Sequence, residues 1–184
     1  MIVTEFLSFG QIDQYGRWLK SQNAETRELY FGVAGNDHVI DHLMDRINSF
    51  PDDHYILVAR DKNAWVGTLH IAVDGTTVEF GLIVAPERRG EGIASLMLEE
   101  ALVWAQNRGY RELFMHCLGW NKPIQHLCNK HGLKPRNAYG DAEVQIELSL
   151  PTWMTITKEV GIRQRNVFHT FLQNSTWLYR EIYG

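Results

Sequence analysis

The sequence predicts an α+β domain with a mainly antiparallel sheet and helices packed on its faces. Three strand-like runs follow one another at residues 54–60, 65–73 and 76–84, separated by short polar turns. Stretches with apolar residues at helical spacing lie on either side, at 37–49 and 92–108. Strands joined by tight turns pair antiparallel, and amphipathic helices bury their apolar stripe against such a sheet.

The N-terminal part begins with a loosely alternating strand candidate at residues 2–7, followed by a short helix at 12–20. The apolar residues in 25–31 follow neither helical nor strand spacing clearly, so the secondary structure of this stretch stays ambiguous. Asn36 or Asp37 can then cap a clear helix, because both residue types accept hydrogen bonds from first-turn N–H groups. Five apolar residues share one face of that helix: Val39, Ile40, Leu43, Met44 and Ile47.

Asp74-Gly75 separates the second and third strands of the central hairpins. This dipeptide favours a tight turn with positive φ, so it is a strong hairpin signal. The rest of the core is predicted in the order helix 92–108, strand 111–117, helix 121–131 and strand 143–149.

Composition limits the class of protein. The chain has 184 residues, 45% hydrophobic and 22% charged, which fits a globular domain with a sizeable core. A net charge of −4 argues against a broad nucleic-acid surface. Two cysteines cannot form a disulfide framework, and the sequence shows neither a secretory leader nor an apolar run of membrane length. We therefore expect a cytoplasmic protein that binds neither nucleic acid nor membrane.

The junction between the third strand and the following helix is the most informative segment. Gly90 and Gly92 lie there together with Arg88 and Arg89. Glycine lets the backbone approach a ligand closely, and a helix N-terminus offers unpaired N–H groups to an anion. The segment therefore predicts a pyrophosphate cradle; the alternative is a charged loop that caps an ordinary helix.

Two well-known phosphate-binding motifs do not fit this junction. No Lys follows Gly92, as the P-loop requires. The dinucleotide fingerprint needs a third glycine where this chain has Ser95.

Arg89-x-x-Gly92-x-Ala94 instead resembles the R/Q-x-x-G-x-G/A signature of the GNAT superfamily of N-acetyltransferases. A second segment, from Asn121 to Leu133, resembles the family's later motif, in which Asn opens a helix and Gly closes it. Ile124, Gly132 and Leu133 occupy the expected places. Both motifs occur in the right order, and the resemblance covers about residues 54–150, more loosely the N-terminal part.

The resemblance implies the GNAT-like acyl-CoA N-acyltransferase fold, with acetyl-CoA (coenzyme A) as cosubstrate and no metal. The cofactor would enter where the central strands part. The end of the third strand would present backbone groups to the pantetheine arm, through Leu82, Ile83 and Val84. The pyrophosphate would lie against the cradle, formed by Arg89, Gly90, Glu91, Gly92, Ile93, Ala94 and Ser95. Asn121 would bind the pantetheine side of coenzyme A.

The implied reaction moves an acetyl group from the thioester to a primary amine of a small molecule or protein, by direct attack in a ternary complex. Such attack needs a base for the amine and a proton for the departing thiolate. Glu79, in the middle of the third strand, is the leading base candidate, and His116 is the other. The alternative for Glu79 is an exposed strand residue, and ordered water can replace a single base in this family.

Cys128 occupies the position at which many GNAT enzymes carry a tyrosine that protonates the thiolate. A thiol can donate a proton, but cysteine is also a common buried apolar residue on helices. Packing is therefore the alternative for Cys128, and Tyr139 in the following loop is a substitute donor.

Histidines and cysteines concentrate between residues 116 and 131, which raises the question of zinc. Their spacing matches no standard finger, and His126 and Cys128 are two positions apart on a predicted helix. Two such residues point to different faces. We therefore predict no metal site.

Residues 151–184 resemble the family least. We predict a GNAT-like domain at 1–150 and a C-terminal helical extension at 151–184, in which Asn174-Ser175 can end one helix and cap another. The extension carries much aromatic surface that must be buried, either on its own domain, at a homodimer interface or as a lid over the acceptor pocket.

The sequence leaves the acceptor amine open and supports three classes of function. An acetyl-CoA-dependent N-acetyltransferase agrees best with both motifs. A catalytically weak acyl-CoA binding or sensing module is the alternative, supported by the cysteine at position 128. A purely structural domain would leave the glycine–arginine junction unexplained.

Overall fold

The computed structural model describes residues 2–32, 35–118, 121–133, 136–138 and 141–183; within these it describes the backbone alone for 116–118, 136–138, 141–144 and 172–183. Its strands are β1 (Ile2–Phe6), β2 (His54–Asp61), β3 (Ala64–Asp74), β4 (Thr77–Val84), β5 (Glu112–Leu118), β6 (Arg136–Ala138) and β7 (Asp141–Glu147). Its helices are α1 (Ile12–Ser21), α2 (Ala24–Phe31), α3 (Asp37–Ser49), α4 (Ile93–Asn107), α5 (Lys122–Lys130) and α6 (Trp153–Tyr183).

The strands in the described ranges form one sheet in the order β1-β2-β3-β4-β5-β7-β6. All neighbouring pairs are antiparallel except β4 and β5, which run parallel. The predicted α+β class with a mainly antiparallel sheet is thus confirmed. Strand β6 was not predicted, because its three residues are too few to show a period; it lies in a segment that the sequence analysis left between elements.

The parallel contact between β4 and β5 is short. Register pairs join Thr77 to Glu112, Val78 to Leu113 and Glu79 to Phe114. Beyond Glu79, β4 continues to Val84 paired with β3 alone among the described strands, while β5 pairs with β7. The centre of the sheet therefore opens after Glu79, which is where the resemblance predicts entry of the cofactor.

The two faces of the sheet are buried by different helices. On one face, α4 packs Met97, Leu98 and Trp104 against apolar residues of β2 to β5. On the other face, α1 and α3 bury a second cluster that includes Tyr15 and Ile83. Alternation along β4 explains the split, since successive side chains of a strand point to opposite faces.

Two asparagines begin helices on the second face. The Asn36 side chain accepts a hydrogen bond from the Val39 N–H at 3.1 Å, so Asn36 rather than Asp37 caps α3. Asn23 caps α2 in the same way, because its side chain accepts a hydrogen bond from the Thr26 N–H at 2.8 Å. Residues 25–31, which the sequence left ambiguous, belong to this helix; their apolar spacing is weak because α2 has few buried residues.

The C-terminal extension is one helix, so the predicted break at Asn174-Ser175 is wrong. Neither residue terminates a helix by itself, because each costs only about 0.7 kcal/mol or less in a helix interior. Helix α6 packs on α4 and β1. No helix in the described part of the chain is both long enough and apolar enough to cross a bilayer.

Polar contacts hold α6 to the domain. The Asn166 side chain donates to the Thr4 hydroxyl at 2.9 Å, and this hydroxyl donates in turn to the buried carboxylate of Glu100. Burial raises the pKa of Glu100. Glu159 of α6 accepts a hydrogen bond from Asn107 at 2.7 Å and pairs with Arg108.

Two buried histidines face each other across β2 and β3. His54 Nδ1 lies 3.0 Å from His70 Nε2, and both residues are buried. Burial, aided by the charge of Arg46 and by its neighbour His54, lowers the pKa of His70 to about 3. Burial also lowers the pKa of His54. A neutral, mutually hydrogen-bonded pair is therefore part of the folded state.

This pair predicts a pH-dependent stability. Below an unfolded-state pKa of about 6.5 the unfolded chain binds a proton on His70 that the folded chain excludes, so the free energy of unfolding falls by up to about 1.4 kcal/mol per pH unit for each such histidine. The loss continues down to pH about 3, the folded-state pKa of His70. Urea unfolding between pH 7 and 4.5 measures it.

The matched variants are His70→Gln and, as control, His42→Gln on the exposed surface of α3. We expect a shallower slope of unfolding free energy against pH for His70→Gln and the parental slope for His42→Gln. Equal slopes for all three proteins would contradict the assignment.

Candidate active site

A cavity of ≈ 520 Å³ lies where β4 and β5 part. Its walls come from α2, the end of β4, the loop before α4 with the first turn of that helix, and α5 along its length. Most of the wall is apolar, with polar groups concentrated near the start of α4. Both faces of the sheet contribute, which is the consequence of the short β4–β5 ladder.

The predicted cradle, apart from Glu91, forms the polar end of this cavity. Gly90 and Gly92 have φ values of +84° and +79°, which strongly favour glycine. A Cβ built on either glycine would meet nothing within 4 Å, so the space above the loop is open. Gly92 is the N-cap of α4 and has no side chain with which to cap it. The first-turn N–H groups are therefore available to an anion.

The two arginines of the loop differ in their contacts. Arg88 donates to both carboxylate oxygens of Glu91 at 2.8 Å and to Asp61 at 3.0 Å. This contact lowers the pKa of Glu91. The charge of Arg88 is thus largely balanced within the loop, which it orders.

Arg89 extends toward the other side of the cavity. Its guanidinium donates to the Thr26 hydroxyl of α2 at 2.7 Å, and both residues line the cavity. Arg89 therefore keeps a positive charge at the polar end of the cavity.

A second basic group, which the sequence analysis did not assign to the site, comes from the C-terminal end of α5. Lys130 Nζ donates to the Ser95 hydroxyl at 3.2 Å, and His131 Nε2 lies 2.8 Å from the same oxygen. Burial lowers the pKa of His131. No local motif could have revealed this contact, because Ser95 and Lys130 are 35 positions apart.

The remaining predicted cofactor residues also line the cavity. Leu82, Ile83 and Val84 form its β4 wall, at the part of the strand that β5 has left. Asn121 accepts a hydrogen bond from the Ile124 N–H at 3.4 Å, which confirms it as the N-cap of α5. Its amide NH₂ group keeps donors for a ligand.

The candidate catalytic residues have different surroundings. Glu79 is exposed and lies at the last β4–β5 pair, on the strand face that also carries Gly81 and Ile83. It does not line the cavity itself, but its charge acts on Tyr30, which does. Cys128 is fully buried in the apolar core and does not line the cavity, which favours packing. The His116 side chain and Tyr139 lie outside what the structure describes.

No group of three His, Cys, Asp or Glu side chains is arranged to hold a metal ion within the described ranges.

These residues fit coenzyme A. An uncapped helix N-terminus with open space above two glycines suits a diphosphate, and Arg89 and Lys130 supply positive charge beside it. The strand edge at Leu82–Val84 suits the amides of the pantetheine arm.

The model of the acetyltransferase (GNAT) family matches residues 17–133, more than half of the chain. The chain belongs to the GNAT family. It is thereby a member of a family of acetyl-CoA-dependent N-acetyltransferases. The match starts earlier than the sequence resemblance did, because α1 and α2 belong to the family domain.

Part of the chain is similar in sequence to a curated protein. The chain is 31% identical over 96 residues to "Putative phosphinothricin acetyltransferase YwnH" of Bacillus subtilis (strain 168). That segment is 48% of this chain and spans 59% of the relative.

Two solved structures share the fold at low identity. The spermidine N-acetyltransferase of Vibrio cholerae, in complex with CoA and spermine, is 16% identical with a TM-score of 0.63, covering 80% of this chain and 95% of that one. The GNAT domain of S. lividans PAT is 15% identical with a TM-score of 0.67, covering 79% and 89%.

The cradle predicts the effect of a charge in the first turn of α4. Ala94→Asp places a carboxylate beside the cavity at the second position of the helix, where an acidic residue stabilises the fold itself. We expect at least a tenfold weaker affinity for coenzyme A in calorimetry, because the carboxylate repels the diphosphate.

The control is His38→Asp, which introduces a carboxylate at the second position of α3, a position that does not line the cavity. It should leave the affinity at the parental value. An unchanged affinity in Ala94→Asp would place the diphosphate elsewhere.

Proposed function

We propose that this protein transfers the acetyl group of acetyl-CoA to a primary amine of a small molecule or protein, by direct attack in a ternary complex. One observation carries the proposal: a single cavity joins the open N-terminus of α4 to Leu82 and Tyr30, at the gap in the sheet that opens after Glu79. Anion binding and a carboxylate at the reacting end are what this reaction requires.

The reaction balances without a further reactant. The amine nitrogen forms a bond to the acetyl carbon, the carbon–sulfur bond breaks, and the proton lost by the amine ends on the sulfur as a thiol. Acetyl-CoA supplies the activated acyl group. The chain binds the diphosphate at residues 90–95, aligns the arm along Leu82–Val84 and accepts the amine proton at Glu79, directly or through water.

The acceptor is best sought among amines. The similar proteins described above include a spermidine N-acetyltransferase and a protein named as a phosphinothricin acetyltransferase, so spermidine and phosphinothricin head the panel, followed by an aminoglycoside, free amino acids and a lysine peptide. Thiol release from acetyl-CoA is measured with each amine. Turnover with any of these amines supports the proposed acetyltransferase activity.

The alternative function, an acyl-CoA binding or sensing module, keeps the cradle but not the chemistry. The burial of Cys128 favours such a module, because the residue that replaces the family's tyrosine does not line the cavity. Coenzyme A binding without turnover by any amine of the panel would support this module and contradict the enzyme. Absence of coenzyme A binding would contradict both.

Glu79→Gln tests the base. The change keeps the size of the side chain and removes the carboxylate, so we expect amide formation to slow by about a hundredfold, as for loss of a general base. The affinity for acetyl-CoA should hold, and the pH dependence of kcat/KM should change shape.

The control is Glu25→Gln, an exposed carboxylate in the first turn of α2, which should keep the parental rate. An unchanged pH–rate profile in folded Glu79→Gln would transfer the role to His116 or to solvent. For Cys128 we propose packing alone.

We also propose that residues 151–184 form a homodimer contact. Five residues at spacings of three, four and seven form an apolar stripe on α6, which we call the α6 stripe: Trp153, Ile156, Val160, Val167 and Phe171. Ile162 on the opposite side of the helix is buried. The α6 stripe therefore faces away from the domain rather than over the acceptor cavity.

A second copy of the chain is the occupant that the α6 stripe suits best. Trp153 is 75% and Phe171 is 66% exposed. With about 150–250 Å² per aromatic side chain, these two alone leave roughly 300 Å² uncovered, a substantial part of the ~800 Å² that each partner buries in a standard interface. Two copies related by a two-fold axis would cover the same stripe on each other.

Val160→Lys combined with Val167→Lys tests this contact. Both valines are exposed in the single chain, so the charges do not disturb its fold. We expect sedimentation velocity to show a dimer for the parent and for the control Gln14→Lys, on exposed α1, and a monomer for the double variant. A monomeric parent at 50 μM, or about that concentration, would contradict the proposal.

A further inference from the structure

The hydroxyl of Tyr30 lies directly on the backbone of β4. A Cβ built on Gly81 would be 2.6 Å from the Tyr30 hydroxyl oxygen and 3.0 Å from the ring carbon that bears it. Any side chain at position 81 would therefore displace this hydroxyl. The absence of a Cβ at Gly81 is what allows α2 to bring a phenol to the central strand.

A second tyrosine determines where the proton of Tyr30 points. The Tyr15 hydroxyl oxygen lies 3.2 Å from that of Tyr30, and Tyr15 is fully buried. Among the described residues, Tyr30 is the hydrogen-bond partner of this hydroxyl. A buried O–H left without an acceptor is unfavourable, so Tyr15 donates and the Tyr30 oxygen accepts. The proton of Tyr30 is thereby left for another acceptor.

A ligand in the cavity can be the acceptor for the hydroxyl proton of Tyr30. Tyr30 is only half-buried and lines the cavity together with Leu82 and Ile83. Gly81 lies two residues beyond the last β4–β5 pair and directly before the Leu82–Val84 segment. The hydroxyl is therefore at the opening of the sheet, at the end of the cavity opposite to the cradle.

The phenol remains protonated at any working pH. Burial, together with the negative charge of Glu79, raises the pKa of Tyr30 to about 12. Tyr30 is thus a lasting hydrogen-bond donor rather than a base, which separates its role from that of Glu79.

We propose that Tyr30 donates a hydrogen bond to the acetyl carbonyl oxygen while negative charge develops on it during transfer. Tyr15 is the positioning residue that turns the proton of Tyr30 into the cavity, and Gly81 provides the space. This role rests on the proposed acetyl transfer and adds to it a residue that neither sequence motif contains.

The first test compares Tyr30→Phe with Tyr55→Phe, a half-buried tyrosine that packs on Trp104 away from the cavity. The probe is acetyl-CoA with the most active amine of the panel, or water if no amine reacts. We expect kcat to fall by about a hundredfold to a thousandfold in Tyr30→Phe, the range for loss of one such donor. The acetyl-CoA Kd and the KM of the amine should stay within about twofold, and Tyr55→Phe should match the parent.

The second test is a double-mutant cycle with Gly81→Ala. The new methyl group displaces the hydroxyl, so this variant should lose kcat while keeping every polar side chain. In the Tyr30→Phe background, Gly81→Ala should lower kcat little further, because the Tyr30 hydroxyl that the methyl group displaces is already absent. Tyr15→Phe should give a smaller loss in kcat, again without a change in Kd.

The outcomes separate this inference from the proposed function. A parent that does not bind acetyl-CoA refutes the proposed function. A parent that turns over while Tyr30→Phe keeps its kcat overturns the role of Tyr30 alone. A higher KM for the amine at unchanged kcat also overturns it, since the hydroxyl would then bind the acceptor. If Tyr30→Phe fails to fold, additive losses in Gly81→Ala and Tyr15→Phe would overturn it.

Discussion

The rest of the site depends on the short parallel pairing between β4 and β5. These two strands are paired only up to Glu79 and Phe114; beyond that point β4 pairs with β3 and β5 pairs with β7. Because a buried strand edge leaves N–H and C=O groups that need partners, this gap is suited to a ligand that can act as a strand. Anion binding at α4, the Leu82–Val84 wall and the phenol of Tyr30 all open on it.

The positive potential at the polar end of the cavity depends more on the backbone N–H groups of α4 than on the pair Arg88 and Arg89. Arg88 is balanced by Glu91 and Asp61, so its role is to order the loop. The first-turn N–H groups of α4 and the cations of Arg89 and Lys130 surround the space above the glycines. Backbone dipoles are fixed in direction, which favours one orientation of a bound diphosphate.

Local signals in the sequence were sufficient for much of the fold. Asp74-Gly75, the apolar period of α3 and the Asn121 cap each depend on residues close together in the chain, and each was predicted correctly. Helix α2 was ambiguous because it buries little apolar surface, so Tyr30 was missed. Its meeting with Gly81 and Tyr15 is a tertiary contact that no short pattern encodes. The same holds for Lys130 on Ser95, which the fold alone brings together.

The contact between Asn166 and Thr4 bears on the order of folding. It joins residues 162 positions apart, and Glu100 of α4 completes the network. Closing so long a loop early is entropically unfavourable, so we expect the inner face of α6 to dock after the sheet has formed. Interactions absent from the transition state act mainly on the unfolding rate. The polar seam under α6 is therefore a determinant of how long the native state persists rather than of how fast it is reached.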